Sequence, residues 1–287
     1  MKKKINNFNK QVYFKKLLKI FGKAIINTVN HDGIEHAGYM SFMMLLCIFP
    51  FIVFFTAFAA FFGASSYGKE LIQLLMENLP NNITELIKGR IYEIIDSPPP
   101  SLLTLAVIGM IWTSSSFVES IRTILNRIYH VKSPPSYILR RILSIVQFLV
   151  LILFLFLAAI FLVFLPIILT QIESLRHIIP NLYEPTHFYL RKILFFCSLL
   201  FVISTMYYAI PNLKLKFIQV VPGGIVTTIL FIVSAKLLSK YVIYYTQLSI
   251  IYGSLGNIII TLLFFYIINT IFIYGAEFNY LLHKEDD

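Results

Sequence analysis

Four polar side chains form a stripe on an otherwise apolar segment that covers residues 112–129. They recur at steps of three and four residues, which a helix places on one face: Ser115, Glu119, Arg122 and Asn126. A charged side chain inside a membrane is costly unless it is paired or faces water, so such residues often mark a solute pathway. Two interpretations follow. The stripe lines a cavity open to the cytoplasm, or the helix emerges into the cytoplasm there and Glu119 and Arg122 form an ordinary surface pair.

A second polar position lies at the end of the last apolar run, where Glu277 and Asn279 fall in the sequence YGAEFN. Glu277 is expected at the same depth as Arg122 and Arg127, so an ion pair between them is geometrically allowed. Such a pair would lock two helices together and add specificity rather than much stability. The polar residues 35–36, just before the first apolar run, are expected at a similar depth.

Two lysines are predicted to lie in the outer half of the fifth apolar run. Lys236 follows Pro222 by fourteen residues, which is roughly 21 Å along a helix, and Lys240 is one turn further on. Both side chains can extend to the outer interface along their aliphatic stems. Otherwise they contact an anionic group, such as a lipid phosphate, from inside the bundle.

Proline and glycine recur inside or at the start of the apolar runs. The positions that we single out are Pro50, Pro222, Gly223, Gly253 and Gly256. Discontinuous helices form binding sites in many transporters, whereas small residues also allow two helices to approach closely. The segment YGSLGN, residues 252–257, is interpreted mainly as a packing surface.

The elements that position these residues are membrane helices. The chain has 287 residues, of which 58% are hydrophobic and only 13% are charged, and a membrane-spanning helix needs roughly 20 apolar residues. We predict an all-α, polytopic membrane bundle of about six transmembrane helices. The predicted spans are residues 37–62, 102–117, 137–170, 188–210, 219–241 and 252–278.

The distribution of basic residues predicts that both termini lie in the cytoplasm. Residues 1–36 form a Lys-rich cytoplasmic segment whose helix, 12–29, lies on the inner leaflet. Residues 37–282 form the transmembrane domain with an outer helical loop at 63–101, and residues 283–287 form a cytoplasmic tail. The net charge of +10 then serves topology and contact with anionic lipids rather than nucleic acid.

The chain resembles the YihY / virulence factor BrkB family of bacterial inner-membrane proteins. The resemblance rests on the first span (residues 36–63), NLP at 78–80, WTSSS…LNRIY, AIPN at 209–212, VVPGGIV at 220–226, YGSLGN and GAEFN. It implies about six helices in the inner membrane and a link to serum resistance and to the movement of lipids or other solutes. The family also long carried a ribonuclease label, but the six histidines here are scattered over both sides, so we reject a nuclease and expect no metal site.

The leading functional hypothesis is a transporter or lipid flippase without covalent chemistry or cofactor. Its bundle cavity is expected to contain Glu119, Arg122, Asn126, Glu277 and Asn279 inside and Lys236 outside, and to admit an anionic lipid or a small molecule. The alternative is a non-transporting envelope scaffold that recruits partners through its N-terminus and outer loop. An intramembrane enzyme would need a nucleophile and base at one depth, and no histidine or lysine is expected beside the three serines at 114–116. Substrate, energy source and oligomeric state are not indicated by the sequence.

Overall fold

The computed structural model describes residues 2–64, 100–132, 135–171, 185–245 and 254–284. These residues form seven helices and no strand: α1 (Lys2–Asn30), α2 (Gly33–Ala64), α3 (Pro100–Ile128), α4 (Tyr137–Gln171), α5 (Pro185–Ala209), α6 (Phe217–Tyr245) and α7 (Ser254–Lys284). Each predicted span falls on one of the helices α2 to α7, to within two residues. The predicted all-α fold is confirmed. Most of the predicted outer loop, and Gly253, lie outside the described residues.

Four of these helices are long and apolar enough to cross a membrane. The qualifying stretches are Tyr137–Phe154, Lys192–Ala209, Phe217–Tyr241 and Ile258–Lys284, and a shorter apolar stretch covers Gly33–Ile48 in α2. No more than 28% of any of the four windows is buried inside the protein, so most of their apolar side chains need a lipid environment. The chain is a multi-pass membrane protein. The count of six spans and the cytoplasmic position of both termini remain predictions.

Two compact units make up the chain. One comprises residues 43–115, with the second part of α2 and the first part of α3. Within it the hydroxyl of Ser114 donates to the sulfur of Cys47 at 3.8 Å. The other comprises residues 1–42 and 116–287, in which α7 packs on α1 and α6, and α5 packs on α4 and α6. All the charged residues discussed below lie in this larger unit.

The α6–α7 crossing is built on glycine. A Cβ atom on Gly275 would lie 1.9 Å from Thr227 Oγ1 and 2.6 Å from Tyr207 Oη, and one on Gly223 would lie 2.3 Å from the carbonyl oxygen of Gly275. The side chain of Asn279 accepts a hydrogen bond from the Gly223 N–H at 2.6 Å and donates to the Val220 carbonyl at 2.9 Å. It therefore satisfies backbone groups of α6 on both sides of Pro222, which cannot donate. Asn279 joins two helices at this crossing.

Tyr207 of α5 completes the same junction from the third side. Its ring is fully buried, its hydroxyl donates to the Phe272 carbonyl of α7 at 2.6 Å, and Thr227 of α6 lies at hydrogen-bonding distance, 2.8 Å. A buried tyrosine hydroxyl needs such partners because an unpaired polar group inside a membrane protein is costly. One side chain thus fixes α5, α6 and α7 together.

The predicted N-terminal helix is present and is longer than expected. Ile20 and Ala24 of α1 are buried against Phe278 and Leu281 of α7. Apolar side chains that are more than half exposed lie on another side of the helix: Leu18, Ile25, Ile26 and Val29. This helix therefore packs on α7 as well as presenting an apolar surface, and its position on the inner leaflet stays a prediction.

Candidate functional site

The side chain of Arg122 lies at the centre of a buried polar cluster that joins α3, α4 and α5. The guanidinium is 0% exposed. Its Nη1 donates to Glu119 at 2.7 Å, to the Arg140 carbonyl at 2.7 Å and to Ser144 at 2.6 Å. Its Nη2 donates to Gln147, and its Nε donates to the Ile210 carbonyl at 3.3 Å. We call these side chains, Glu119, Arg122, Arg140, Ser144 and Gln147, the Arg122 cluster.

This cluster caps the C-terminal end of α5. The last carbonyls of a helix have no partner within the helix and carry the negative end of its dipole. Arg122 bonds the Ile210 carbonyl, and the amide of Gln147 donates to the Ala209 carbonyl at 2.5 Å. Burial lowers the pKa of the Arg122 guanidinium from its usual value, and the charge of Glu119 opposes that change. Arg122 is thus committed to protein acceptors on three helices.

The cluster carries more positive than negative charge. The carboxylate of Glu119 accepts from Arg122 and from the hydroxyl of Ser144 at 3.0 Å, and it forms an ion pair with Nη1 of Arg140 at 3.3 Å. Arg141, the next residue, donates to Ser116 at 3.0 Å. The Nε of Arg140 is buried and has no acceptor in the part of the chain that the structure describes. Two arginines therefore contact one carboxylate, and one buried N–H of the described residues lacks a partner.

Asn126 lies one helical turn beyond Arg122 in the predicted stripe, and its side chain binds the segment that follows α5. The side-chain Nδ2 of Asn126 donates to the side-chain oxygen of Asn212 at 2.9 Å, and the side-chain Oδ1 of Asn126 accepts from the backbone N–H of Asn212 at 2.8 Å. The first residue of the stripe, Ser115, donates to the Trp112 carbonyl of its own helix. The AIPN turn after α5 is thus fastened to α3 by the Asn126–Asn212 pair.

Replacing Asn126 by alanine is expected to lower the free energy of unfolding by about 1–3 kcal/mol, because both hydrogen bonds to Asn212 are lost and a backbone donor is left unpaired. Asn212→Ala removes one of the two bonds and should cost less. Thr123→Ala, at an exposed position on the same helix, should change stability by no more than about 0.5 kcal/mol. Thermal unfolding of the purified protein measures all three, and an Asn126 variant as stable as the Thr123 control would contradict the pairing.

Glu277 is paired differently from the expectation. The structure shows neither Arg122 nor Arg127 as its partner: Arg122 binds Glu119, and Arg127 binds Asp32 at 2.7 Å. The Oε1 atom of Glu277 instead lies 2.5 Å from Nδ1 of His31, in the turn between α1 and α2. The expectation was wrong because equal depth does not fix which faces meet, and Arg122 points towards α4 and α5.

Aromatic and imidazole rings surround this pair. His31 stacks edge-on against His130 at 5.5 Å, and His130 contacts the ring of Tyr280 at 5.3 Å. Burial, and then the charge of Glu277, raises the pKa of Tyr129. The remaining Glu277 oxygen, Oε2, and the hydroxyl of Tyr129 are both buried without a hydrogen-bond partner in the described structure. The side chain of Asn27 also hydrogen-bonds Glu277. We call the side chains Asn27, His31, Tyr129, His130, Glu277 and Tyr280 the Glu277 cluster.

His130 of the Glu277 cluster and Asp32, the neighbour of His31, have a left-handed backbone, which favours glycine. His130 has φ 53° and Asp32 has φ 56°. At the end of α3 the His130 N–H binds the Arg127 carbonyl and the Val131 N–H binds the Asn126 carbonyl, which is a Schellman cap with histidine at the usual glycine position. A non-glycine residue there costs on the order of 1 kcal/mol. The fold carries this cost while holding the His130 ring against His31.

The other predicted site residues lie apart from these clusters. Lys236 and Lys240 are exposed on the C-terminal half of α6, and Asn279 serves the α6–α7 crossing. Pro222 and Gly223 belong to that crossing, Gly256 is buried near the start of α7, and Pro50 lies within α2. The structure brings Glu119 and Arg122 together and separates Glu277 from them. Whether these residues line a cavity stays a prediction.

Sequence reasoning missed His31, Tyr129, Arg140, Ser144 and Gln147. Ser144 and Gln147 lie three residues apart in α4, on a face opposite its exposed apolar side chains, and this spacing was the available signal. His31 gave no periodic signal because it lies in a turn. Its partner is 246 residues away in the chain.

The sequence is similar to one protein family and to several bacterial membrane proteins. A family model described as virulence factor BrkB matches residues 24–287. The ribonuclease-like protein YfkH of Bacillus subtilis (strain 168) is 28% identical over 261 residues, covering 88% of this chain and 91% of the relative. A UPF0761 membrane protein of Pseudoalteromonas atlantica (strain T6c / ATCC BAA-1087) is 22% identical over 265 residues, covering 92% and 86%.

A further UPF0761 membrane protein, from Vibrio vulnificus (strain YJ016), is 24% identical over 268 residues, covering 93% of this chain and 83% of the relative. No solved structure matches the chain significantly. The term "ribonuclease-like" belongs to the name of the Bacillus relative. Among the described residues of this chain, no group of three or more His, Cys, Asp or Glu side chains could hold a metal ion. That the chain is not a nuclease stays a prediction.

Proposed function

Because the chain belongs to the virulence factor BrkB family of membrane proteins, we propose that it moves an anionic amphiphile, such as a lipid with a phosphate headgroup, across the bacterial inner membrane. The proposal needs no covalent chemistry and no cofactor. It assigns the Arg122 cluster as the place where the headgroup is held on the cytoplasmic side.

The observation that carries the proposal is the unpartnered Nε–H of Arg140. A buried N–H without an acceptor is costly, and the cost is larger when the donor is charged. A phosphate oxygen would supply that acceptor through a charge-assisted hydrogen bond, which is the geometry that guanidinium groups favour. The Nε atom is buried, but the side chain of Arg140 is 26% exposed, so a ligand would approach Nε from the exposed part of the side chain.

The charge of the cluster favours the same class of ligand. Within the cluster, Arg122 and Arg140 exceed Glu119 by one positive charge, and Arg122 is held by protein acceptors. Arg140 therefore provides the excess charge, while Arg122 keeps the helices of the cluster in position. An added phosphate would bring the local charge closer to neutrality.

The apolar surface beside these arginines suits an acyl chain. Exposed apolar residues recur along α4 at steps of three and four residues: Ile138, Ile142, Val146, Leu149 and Leu153. Such spacing forms one continuous stripe along a helix. The stripe begins at the level of Arg140 and Arg141, so one molecule can place its charged headgroup at the arginines and its chain along α4. Lys236 and Lys240 are proposed as the corresponding contacts in the other leaflet.

The test compares variants in reconstituted vesicles that contain a fluorescent anionic phospholipid. Arg140→Gln is expected to slow its movement between leaflets about tenfold, since a charge-assisted hydrogen bond contributes about 1.5–3 kcal/mol. Arg140→Lys keeps the charge without the fork and should retain part of the rate. Arg127→Gln, which removes an exposed arginine whose carboxylate partner Asp32 is 51% exposed, is the matched control.

Each variant is also checked for thermal stability, because Arg140 contacts Glu119. A folded Arg140→Gln protein that moves the anionic lipid at the wild-type rate would contradict the proposed site. Wild-type vesicles that move no lipid would contradict the proposed function and favour the scaffold alternative.

A further inference from the structure

We propose that His31 and Glu277 form a proton-binding site that is reached by water through His31. The proposal concerns the Glu277 cluster and does not depend on which solute the protein moves. The proton comes from water at the exposed edge of His31 and binds to the pair, whose net charge rises by one.

One member of the pair is fully buried and the other is partly exposed to water. Glu277 is 0% exposed, whereas the side chain of His31 is 23% exposed. A buried carboxylate in a membrane helix is costly and generally serves ion or proton binding when it is not fully paired. Here Oε1 is bonded to His31, the side chain of Asn27 also hydrogen-bonds the carboxylate, and Oε2 has no donor among the described residues. A buried carboxylate with one unpaired oxygen is therefore linked to water by an imidazole.

Histidine is the side chain suited to this position because its charge changes near physiological pH. At the 2.5 Å distance between Nδ1 and Oε1, one proton can lie between the two groups, whether it is bonded to the imidazole or to the carboxyl group. A metal ion is less suited, because Nδ1 of His31 and Oε1 of Glu277 already bind each other and are not both available as ligands. The class of ligand indicated is the proton.

The surroundings contain no second fixed charge in direct contact with the pair among the described residues. Asn27 and His31 approach Glu277 from α1 and the following turn, and Tyr129 and His130 approach from the end of α3. Tyr280 of α7 contacts His130. The nearest ion pair, Arg127 with Asp32, is largely exposed and compensates itself. The groups that contact the pair are therefore uncharged side chains and the neighbouring ring of His130.

The left-handed backbone of His130 is a second, independent observation. An unfavourable conformation at a helix end persists only where the surrounding structure enforces it, and such positions concentrate at functional sites. Here it holds the exposed ring of His130 at 5.5 Å from the ring of His31. Two imidazoles in edge contact give a short path between water and Glu277.

Protonation of this pair would act on helix packing. His31 lies between α1 and α2, and Glu277 lies on α7, so the pair is a direct bond between these elements. A change of one charge at a buried contact alters its strength considerably. The site thus gives the N-terminal helix a contact with α7 that responds to pH.

The proposal is tested by infrared difference spectra of the full-length protein in lipid as pH is changed. In the wild type, bands of an imidazole and of a carboxyl group are expected to change at one common midpoint. Glu277→Gln should remove the carboxyl band, and His31→Gln the imidazole band. In each variant the midpoint of the remaining band should move by about one pH unit or more, as expected for groups in direct contact. Glu35→Gln, at an exposed position in the first turn of α2, should leave both bands unchanged.

If the remaining band keeps its wild-type midpoint in each of the two variants, the groups are not coupled and the proposal is overturned. Wild-type spectra in which neither band changes would overturn it as well, without any variant. Because the spectra involve no transported solute, failure here is separate from failure of lipid movement in vesicles.

Discussion

Replacing Arg122 by leucine is expected to lower the free energy of unfolding by about 3–5 kcal/mol, the usual cost of removing one partner from a buried ion pair. Glu119 would keep only the 3.3 Å contact with Arg140 and the hydroxyl of Ser144. The Ile210 carbonyl at the end of α5 would lose its donor. We expect a much lower melting temperature of the purified protein and less accumulation in the membrane.

Arg122→Lys should restore little of this stability, because one ammonium group on a flexible stem cannot reach acceptors on α3, α4 and α5 in the directions that the planar guanidinium uses. The matched control is Arg127→Gln. Arg127 is 46% exposed in its pair with Asp32, and exposed pairs contribute about 0–1 kcal/mol. Equal losses in the Arg122→Leu and Arg127→Gln proteins would show that the Arg122 cluster does not hold these helices together.

The second large effect is expected at Gly275. Gly275→Val introduces a branched side chain where even a Cβ atom meets Thr227 Oγ1 at 1.9 Å and Tyr207 Oη at 2.6 Å. Overpacking of this kind typically costs about 1–3 kcal/mol and sometimes more, and here it also displaces hydrogen bonds of Tyr207. The expected result is loss of the folded protein, or a melting temperature several degrees lower, measured after purification in detergent.

Gly22→Ala is the control for this substitution. A Cβ atom on Gly22 in α1 meets nothing within 4 Å, so alanine should leave stability unchanged or raise it by about 1 kcal/mol through its higher helix propensity. A Gly275→Ala and Thr227→Ala double variant should recover part of the loss, because it removes the closest contact and leaves the one with Tyr207. A fully stable Gly275→Val protein would mean that α6 and α7 do not cross at this point.

The helices could be predicted from the sequence because a membrane imposes a simple requirement. Each span needs roughly 20 apolar residues, and the runs at 137–170 and 219–241 show this without knowledge of any neighbour. The predicted ends also agree with α4 and α6 to within a few residues. Gly223 was predicted to serve packing or helix interruption, and in the structure a Cβ atom at this position would lie 2.3 Å from the carbonyl oxygen of Gly275.

The partners of the charged residues could not be predicted in the same way. Arg122 and Glu119 are one turn apart in one helix, so their pairing follows from local geometry. The pairing of Glu277 with His31 depends on how α1 turns back onto α7, which is set by contacts such as Ile20 with Phe278 and by the left-handed conformation of Asp32. Neither feature has a signature in the spacing of the residues. Depth alone therefore suggested arginine as the partner.

Both polar clusters include residues from the C-terminal part of α3 or the turn that follows it, but they differ in how completely their polar groups are paired. The Arg122 cluster is nearly saturated with hydrogen bonds and exposes excess positive charge through Arg140. The Glu277 cluster is incompletely satisfied, with a carboxylate oxygen and the hydroxyl of Tyr129 unpaired. We propose that the first holds an anionic headgroup and that the second binds a proton.

The movement of labelled lipids in vesicles that contain the purified wild-type protein tests the central proposal most directly. Two vesicle samples are compared, one with fluorescent phosphatidylglycerol and the other with fluorescent phosphatidylcholine, and a membrane-impermeant reductant reports the fraction of label in the outer leaflet over time. We expect the protein to accelerate exchange of the anionic lipid well beyond that of the zwitterionic one. Exchange of both lipids at the rate of protein-free vesicles would contradict it.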